Sequence, residues 1–216
     1  MSLDSEKRLA AEAAAELVED GMLVGLGTGS TVAFLLPALA ARGLRLRCVA
    51  TSPATEQVAR ALGMRVESFA GGDAQPRLDM SIDGADQVAP SGWLVKGGGA
   101  AHTREKAVAA AADRFVVIVS SEKLVERLSP PVPLELLEYG LASTLRRLGD
   151  VTLRDVPRSP DGGVVADYLG DVDDPAELAA RLSATVGVVE HGLFSATMVS
   201  DVVVARGEEV EIRSLR

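Results

Sequence analysis

The 216-residue chain contains one cysteine, Cys48, and two histidines, His102 and His191. A single cysteine excludes an intramolecular disulfide and any cysteine-based zinc site. Two histidines are too few for a histidine-rich metal centre. Aromatic residues are scarce, with one Trp, two Tyr and four Phe, so platforms for stacking single-stranded nucleic acid are few. Positive charge is also short: 22 Lys and Arg stand against 31 Asp and Glu, a net charge of −9. That balance opposes general binding to nucleic acid or an anionic membrane surface. An anionic small substrate remains compatible if local positive groups overcome the global field. No run approaches the ~18 apolar residues of a membrane-crossing helix, and the first residues hold no apolar signal core. These absences predict a soluble, cytoplasmic chain.

The chain is 47% hydrophobic and 25% charged, the composition of a globular protein. Its length fits one large or two small domains of about 150 residues or fewer. A chain of this size buries about 70% of its unfolded surface, so it needs neither a disulfide nor a structural metal to fold.

Apolar spacing predicts a helix over residues 5–20, stopped by Gly21. Short strands and helices then alternate: strands at 22–25, 47–51, 65–68, 78–82, 93–96 and 115–119, and helices at 32–41, 53–62 and 101–112. This alternation predicts an α/β fold, a Rossmann-like and mostly parallel sheet with helices on both faces. The texture changes near Ser129-Pro130-Pro131. Strand 132–137, helix 139–148, strand 151–156, a turn at 159–163, strand 164–169, helix 175–184 and strand 186–190 follow. The order β-α-β-β-α-β is the split βαβ, ferredoxin-like arrangement. Residues 1–128 with 196–216 are therefore read as an α/β catalytic domain, and 129–195 as a smaller α+β domain. The β-branched segment 201–205 is expected to return to the first sheet.

Three loops carry chemistry, and each follows a predicted strand, the edge where open α/β sheets bind ligands. The first is Gly27-Thr28-Gly29-Ser30-Thr31. A strand, a glycine loop and a helix start form an anion cradle: backbone N–H groups point outward and the helix dipole favours negative charge. It lacks the lysine of a P-loop and the third glycine of a dinucleotide fingerprint. The bland alternative is a tight turn with a Ser/Thr helix cap. The second loop is Asp83-Gly84-Ala85-Asp86. Its two carboxylates suit sugar hydroxyls or acid/base work. No third carboxylate or histidine stands at obvious metal-ligand spacing, and the alternative is an Asx turn with a cap. The third runs from Lys96 through Gly97, Gly98 and Gly99 to Glu105. Three successive glycines carry a high entropy cost, which points to close approach by a ligand or another backbone. Lys96 is placed to meet a developing oxyanion. Glu105 stands in the first turns of the next helix. The alternative makes Glu105 a helix-dipole partner and Lys96 a solvated charge. Lys123 and Lys7 are ambiguous between phosphate contacts and solvated charges. His102 reads as a helix-start residue, His191 as structural and Cys48 as a buried small hydrophobe.

Together these segments resemble the type A ribose-5-phosphate isomerase family. GLGTGST at 25–31, IDGAD at 82–86, KGGGAA-x-TREK at 96–106 and EHGLF at 190–194 occur in family order over nearly the whole chain. The resemblance implies interconversion of D-ribose 5-phosphate and D-ribulose 5-phosphate in the non-oxidative pentose phosphate pathway. It implies no metal or organic cofactor, a sugar phosphate as the small-molecule partner, no nucleic acid or membrane partner, and a homodimer. Carried over by residue, Glu105 is the proton acceptor. Thr28, Gly29, Ser30 and Thr31, then Asp83, Gly84, Ala85 and Asp86, then Lys96, Gly97, Gly98 and Gly99 form the substrate loops. Lys123 is a further substrate contact and Lys7 matches a phosphate-side lysine.

The residue chemistry fits that reaction on its own terms. A carboxylate takes the C2 proton and returns it to C1. Lys96 and the glycine amides meet the enediolate oxygen. Asp83 is the candidate for ring opening and Asp86 for hydroxyl binding. A non-catalytic sugar-phosphate sensor, or another sugar-phosphate isomerase or deaminase, is the alternative. Three departures stand out: Gln87 after DGAD, His102 after KGGGAA, and Ser120-Ser121-Glu122 before Lys123. Glu122 adds negative charge beside Lys123.

Overall fold

A computed structural model describes residues 2–72 and 77–215. In chain order the elements are α1 (Leu3–Ala15), β1 (Leu23–Leu26), α2 (Val32–Ala41), β2 (Arg47–Ala50), α3 (Pro53–Ala61), β3 (Arg65–Glu67) and β4 (Leu78–Asp83). Then follow β5 (Gln87–Val88), β6 (Leu94–Val95), α4 (His102–Ala111), β7 (Ala112–Ser120), β8 (Val132–Leu136), α5 (Leu141–Leu148) and β9 (Val151–Leu153). The last are β10 (Val164–Tyr168), α6 (Pro175–Ala184), β11 (Val188–His191), β12 (Leu193–Phe194), β13 (Asp201–Arg206) and β14 (Glu209–Ser214).

The chain divides into two units. The first comprises Met1–Gly84, Arg104–Lys123 and Thr197–Arg216. Its seven-stranded sheet has the order β14-β13-β7-β4-β1-β2-β3. All neighbours are parallel except β13 and β14. Strand β1, residues 115–119 of β7 and residues 202–205 of β13 are continuous buried apolar runs, as expected where both faces of a sheet are covered. Val24, Leu26, Met80, Ile82, Val116, Ile118 and Val203 form one core with the alanine face of α1 and Leu35, Leu36 and Leu39 of α2. Small residues at Ala10, Ala11, Ala14 and Ala15 let α1 lie close to the sheet. The chain runs from β1 to β2 and β3 on one side, then crosses to β4 on the other. The β1/β4 boundary is thus the point where the winding reverses, the place where such sheets bind ligands.

Helix ends follow local chemistry. Ser52 caps α3 through the Thr55 amide, with Pro53 in the first turn. Asp174 caps α6 through the Ala176 and Glu177 amides. Helix α1 differs from the expected 5–20. It begins earlier, because Ser2 accepts the Ser5 N–H at 3.3 Å, and its last residue is Ala15. There Arg42 donates to the carbonyls of Ala15 and Val18, satisfying acceptors that a helix end leaves open.

The second unit comprises Ala85–Thr103 and Leu124–Ala196. It holds an antiparallel four-stranded sheet, β11-β8-β10-β9, in the β-α-β-β-α-β order expected. Along β8, Val132, Leu134 and Leu136 pack with Leu148 of α5 and Leu178 and Leu182 of α6. A second, three-stranded sheet has the order β12-β6-β5. The expected strand at 93–96 lies in this small antiparallel sheet. Residues 85–103 therefore cluster with the second unit, whereas the sequence reading grouped them with the first. Strand β6 pairs with β12 at Leu193↔Val95 and Phe194↔Leu94, a long-range pairing that local pattern does not encode.

Candidate functional site

In the first unit, the ends of β1 and β4 are joined by one carboxylate. Asp83, 2% exposed, ends β4, and its Oδ1 accepts the N–H of Thr28 at 3.1 Å and of Gly84 at 2.7 Å. Gly27 makes this possible. A Cβ there would lie 2.0 Å from Asp83 Cγ, so no other residue leaves room for the carboxylate. Thr28 is held on its other side: its hydroxyl lies 2.8 Å from that of Thr51 and 3.2 Å from that of Thr55. Thr55 in turn donates to the Gly27 carbonyl at 2.9 Å. The Thr28 amide and hydroxyl are therefore engaged within the protein. Neither Thr51 nor Thr55 was singled out from sequence, since nothing in their spacing links them to the glycine loop.

The rest of that loop is open. Gly29 has φ +128°, Ser30 is exposed and Thr31 half-buried. Thr31 occupies the N-cap of α2 in helical conformation, and its side chain makes no capping bond. The alternative of a side-chain-capped turn is thus not what forms here. The start of α2 keeps its dipole and Ser30 beside it keeps a hydroxyl, the elements of an anion cradle.

Glu105, 4% exposed, sits in the first turn of α4. That helix lies close to β1 because Gly25 has no side chain: a Cβ there would meet Val108 Cγ1 at 2.3 Å. Lys123 ends a short 3-10 turn, Ser121–Lys123, and its Nζ is 3.3 Å from Glu122 Oε1. The negative charge of Glu122 thus pairs directly with it. Both side chains are about one-third exposed, and an exposed pair of this kind is weak, worth ~0–1 kcal/mol. Lys7 lies 3.4 Å from Asp4 on α1. Beside it, the buried Glu6 accepts the Gly207 and Ser121 amides at 2.8 and 2.9 Å and the Ser121 hydroxyl at 2.8 Å.

The second unit holds the other loop residues. The amide of Asp86 donates to Val95 O at 2.8 Å, and Asp86 Oδ2 accepts the Gly98 N–H at 2.8 Å. The amide of Gly98, one of the three expected for the oxyanion, is therefore occupied by Asp86. Gly97 has φ +105°, and a Cβ there would lie 2.8 Å from His102. A Cβ at Gly98 would lie 2.9 Å from Asp86 Oδ1. Close approach within the chain itself thus explains two of the three glycines.

Lys96 is 2% exposed and its Nζ lies 5.3 Å from the centroid of the Phe194 ring, a cation–π contact. Its amide donates to Gly192 O at 2.8 Å. A Cβ at Gly192 would meet Lys96 O at 2.2 Å. The EHGLF segment thus seats Lys96 through both Gly192 and Phe194. His102 is fully buried, packed under Gly97 with Nε2 3.4 Å from Glu190 O. His191 accepts the Leu193 N–H at Nδ1, 3.2 Å away, and its Nε2 is 3.0 Å from Ser183 Oγ, a structural arrangement. Gln87 clips Ser129 by both ends of its amide, at 2.8 and 2.9 Å, so this departure serves a loop anchor.

Among the described residues, no group of three or more His, Cys, Asp and Glu could hold a metal ion, and no helix is long and apolar enough to cross a membrane.

The model of the ribose 5-phosphate isomerase A (phosphoriboisomerase A) family matches residues 47–209. A ribose-5-phosphate isomerase A from Caulobacter vibrioides (strain NA1000 / CB15N) is 46% identical over 210 residues, covering 90% of this chain and 91% of the relative. The fold resembles that of ribose 5-phosphate isomerase A from Neisseria gonorrhoeae, with a TM-score of 0.93 and 31% identity, covering 100% of this chain and 98% of that one. It also resembles a D-ribose-5-phosphate isomerase solved in complex with phospho-erythronic acid, with a TM-score of 0.91 and 31% identity over 99% of this chain and 100% of that one. A mostly parallel α/β sheet with its glycine loop at the reversal point, a buried carboxylate opening α4 and agreement over nearly the full length lead to one conclusion: the chain belongs to the ribose 5-phosphate isomerase A family.

Proposed function

We propose that Glu105 is the base in the family's interconversion of D-ribose 5-phosphate and D-ribulose 5-phosphate. The single observation that carries this is a buried carboxylate in the first turn of α4, directly after the triple-glycine segment. Glu105 removes the proton from C2 of the open-chain aldose, and the electron pair moves to give the enediolate. A proton passes from the C2 hydroxyl to O1, and Glu105 returns its proton to C1 to yield the ketose. A positioned base of this kind contributes about 10²–10⁴-fold.

Lys96 stabilises the developing oxyanion, together with the Gly99 amide rather than that of Gly98. Asp83, oriented by two amides, assists ring opening, and Asp86 binds sugar hydroxyls. Ser30, Thr31 and the start of α2 hold the phosphate with Lys7 and Lys123. A phosphate dianion readily displaces Glu122 from Lys123, because that pair is weak. Phospho-erythronic acid is an apt probe for this chain, since its planar carboxylate mimics the enediolate. The chain acts in the cytoplasm as a homodimer, which sedimentation of the purified protein tests. A non-catalytic sensor is not favoured, because the relatives that match over nearly the whole chain are isomerases.

The mechanism is checked with ribose 5-phosphate deuterated at C2. Proton abstraction lets at least part of the label escape to water. Complete retention of deuterium in the product would point to a hydride shift and remove Glu105 from its role.

A further inference from the structure

We infer that Arg154 is a positioning residue for the reaction, acting through the backbone of the Gly97–Gly99 loop; the inference rests on reading that loop as the oxyanion-binding segment. Arg154 follows β9, and its amide continues the ladder by donating to Val165 O at 3.0 Å. Its guanidinium forms a two-pronged pair with Asp167 of β10, Nε to Oδ2 and Nη2 to Oδ1, both at 2.6 Å. The remaining nitrogen, Nη1, donates to two successive carbonyls, Gly97 O at 3.0 Å and Gly98 O at 3.2 Å. Arg154 and Asp167 are both largely buried.

A trans peptide points its C=O and N–H in opposite directions. Drawing the Gly97 carbonyl to Arg154 therefore turns the Gly98 N–H away, and there Asp86 accepts it at 2.8 Å. By the same geometry, the Gly98 carbonyl turns the Gly99 N–H away from Arg154. One guanidinium thus sets two peptide planes. A run of three glycines has no side chains to do this, and its freedom would otherwise spread the amide directions. The left-handed Gly97, φ +105°, and Ala100, φ +60°, are non-extended conformations that such anchoring sustains.

Only arginine has this geometry. Its planar fork grips a carboxylate with two N–H groups and keeps a third nitrogen for the carbonyls, whereas lysine offers a single point charge. Glu135 acts in the same unit on the residue that follows the loop. Its carboxylate accepts the hydroxyl of Thr103 and, at 2.5 Å, that of Ser159.

The test compares Arg154→Lys, Arg154→Ala and Asp167→Asn, with Lys96→Met as control, each assayed well below its own Tm. Misplacement of a loop by about 1 Å lowers turnover by as much as ~10²-fold. Arg154→Lys is expected to fold, to lose about 10- to 100-fold in kcat, and to change KM by less than about threefold because the phosphate grip is untouched. It is also expected to weaken phospho-erythronic acid while leaving inorganic phosphate binding intact. Asp167→Asn is expected to show the same split to a smaller degree. Wild-type kcat in both Arg154 variants, with Lys96→Met inactive, overturns the inference and leaves the loop's role standing. A parallel fall in kcat and phosphate binding that tracks Tm also overturns it, because that is merely lost structure. An active Lys96→Met instead removes the reading of the loop itself.

Discussion

Gly27 and Asp83 show how one absent side chain makes room for a buried carboxylate at a strand end. The carboxylate occupies the volume a Cβ would fill, and two amides fix its direction. Gly27→Ala is expected to displace Asp83, lower stability by about 1–3 kcal/mol through overpacking and reduce turnover at least tenfold. Urea unfolding and the isomerase assay read the two effects separately. Retained turnover would separate Asp83 from catalysis. Cys48 gives a second test at this scale. Burial raises its thiol to about 12, so a disulfide reagent at pH 8 should label it only when the protein is unfolded; rapid labelling of the native protein would contradict its burial. Asp83, Glu105 and Lys96 were legible as the candidate acid, base and lysine from their residue types in the loops after strands. Thr51, Thr55 and Arg154 were not, because their roles arise from contacts across 23, 27 and 57 positions, which no local motif encodes.

At the scale of elements, Glu6 ties α1 to the ends of β7 and β13. The Gly207 and Ser121 amides hold its carboxyl below the usual carboxylate range. A lowered folded value means that the stabilisation is complete above the unfolded value, about pH 4.3, and is lost as pH falls below it. Glu6→Gln should therefore cost about 1–3 kcal/mol at pH 7, with the gap to the wild type closing below about pH 4. A gap that persists unchanged at pH 3 would contradict this. Long elements were readable here: α2, α3, α6, β7 and β13 follow from apolar spacing, caps and β-branched runs. The two-residue strands β5 and β12 escape such reading, because too few residues exist to show a period; β6 falls in the strand expected at 93–96, but its pairing with β12, almost 100 positions away, does not show in the local pattern. The length of α1 escaped it because Arg42, just past the end of α2, binds the carbonyls of Ala15 and Val18 at its close. Strand β14, exposed along its whole length, lacks the buried face that makes a strand conspicuous.

For the whole molecule, the alternation of strands and helices was enough for a parallel sheet, and the later β-α-β-β-α-β order was enough for the smaller one. The grouping of residues 85–103 with the second unit was not, since it depends on β6 pairing with β12. That grouping divides the loop residues by unit: Asp83 and Glu105 belong to the first, and Asp86 and Lys96 to the second. The chain's net charge of −9 makes local positive groups all the more necessary for a phosphorylated sugar. The most direct measurement of the central claim is ribulose 5-phosphate formation from ribose 5-phosphate by the purified protein in EDTA, with Glu105→Gln beside it. The account predicts full turnover by the wild type despite chelation, and a folded variant that loses about 10²–10⁴-fold. Near wild-type turnover by Glu105→Gln, or loss in EDTA that a divalent ion restores, would contradict it.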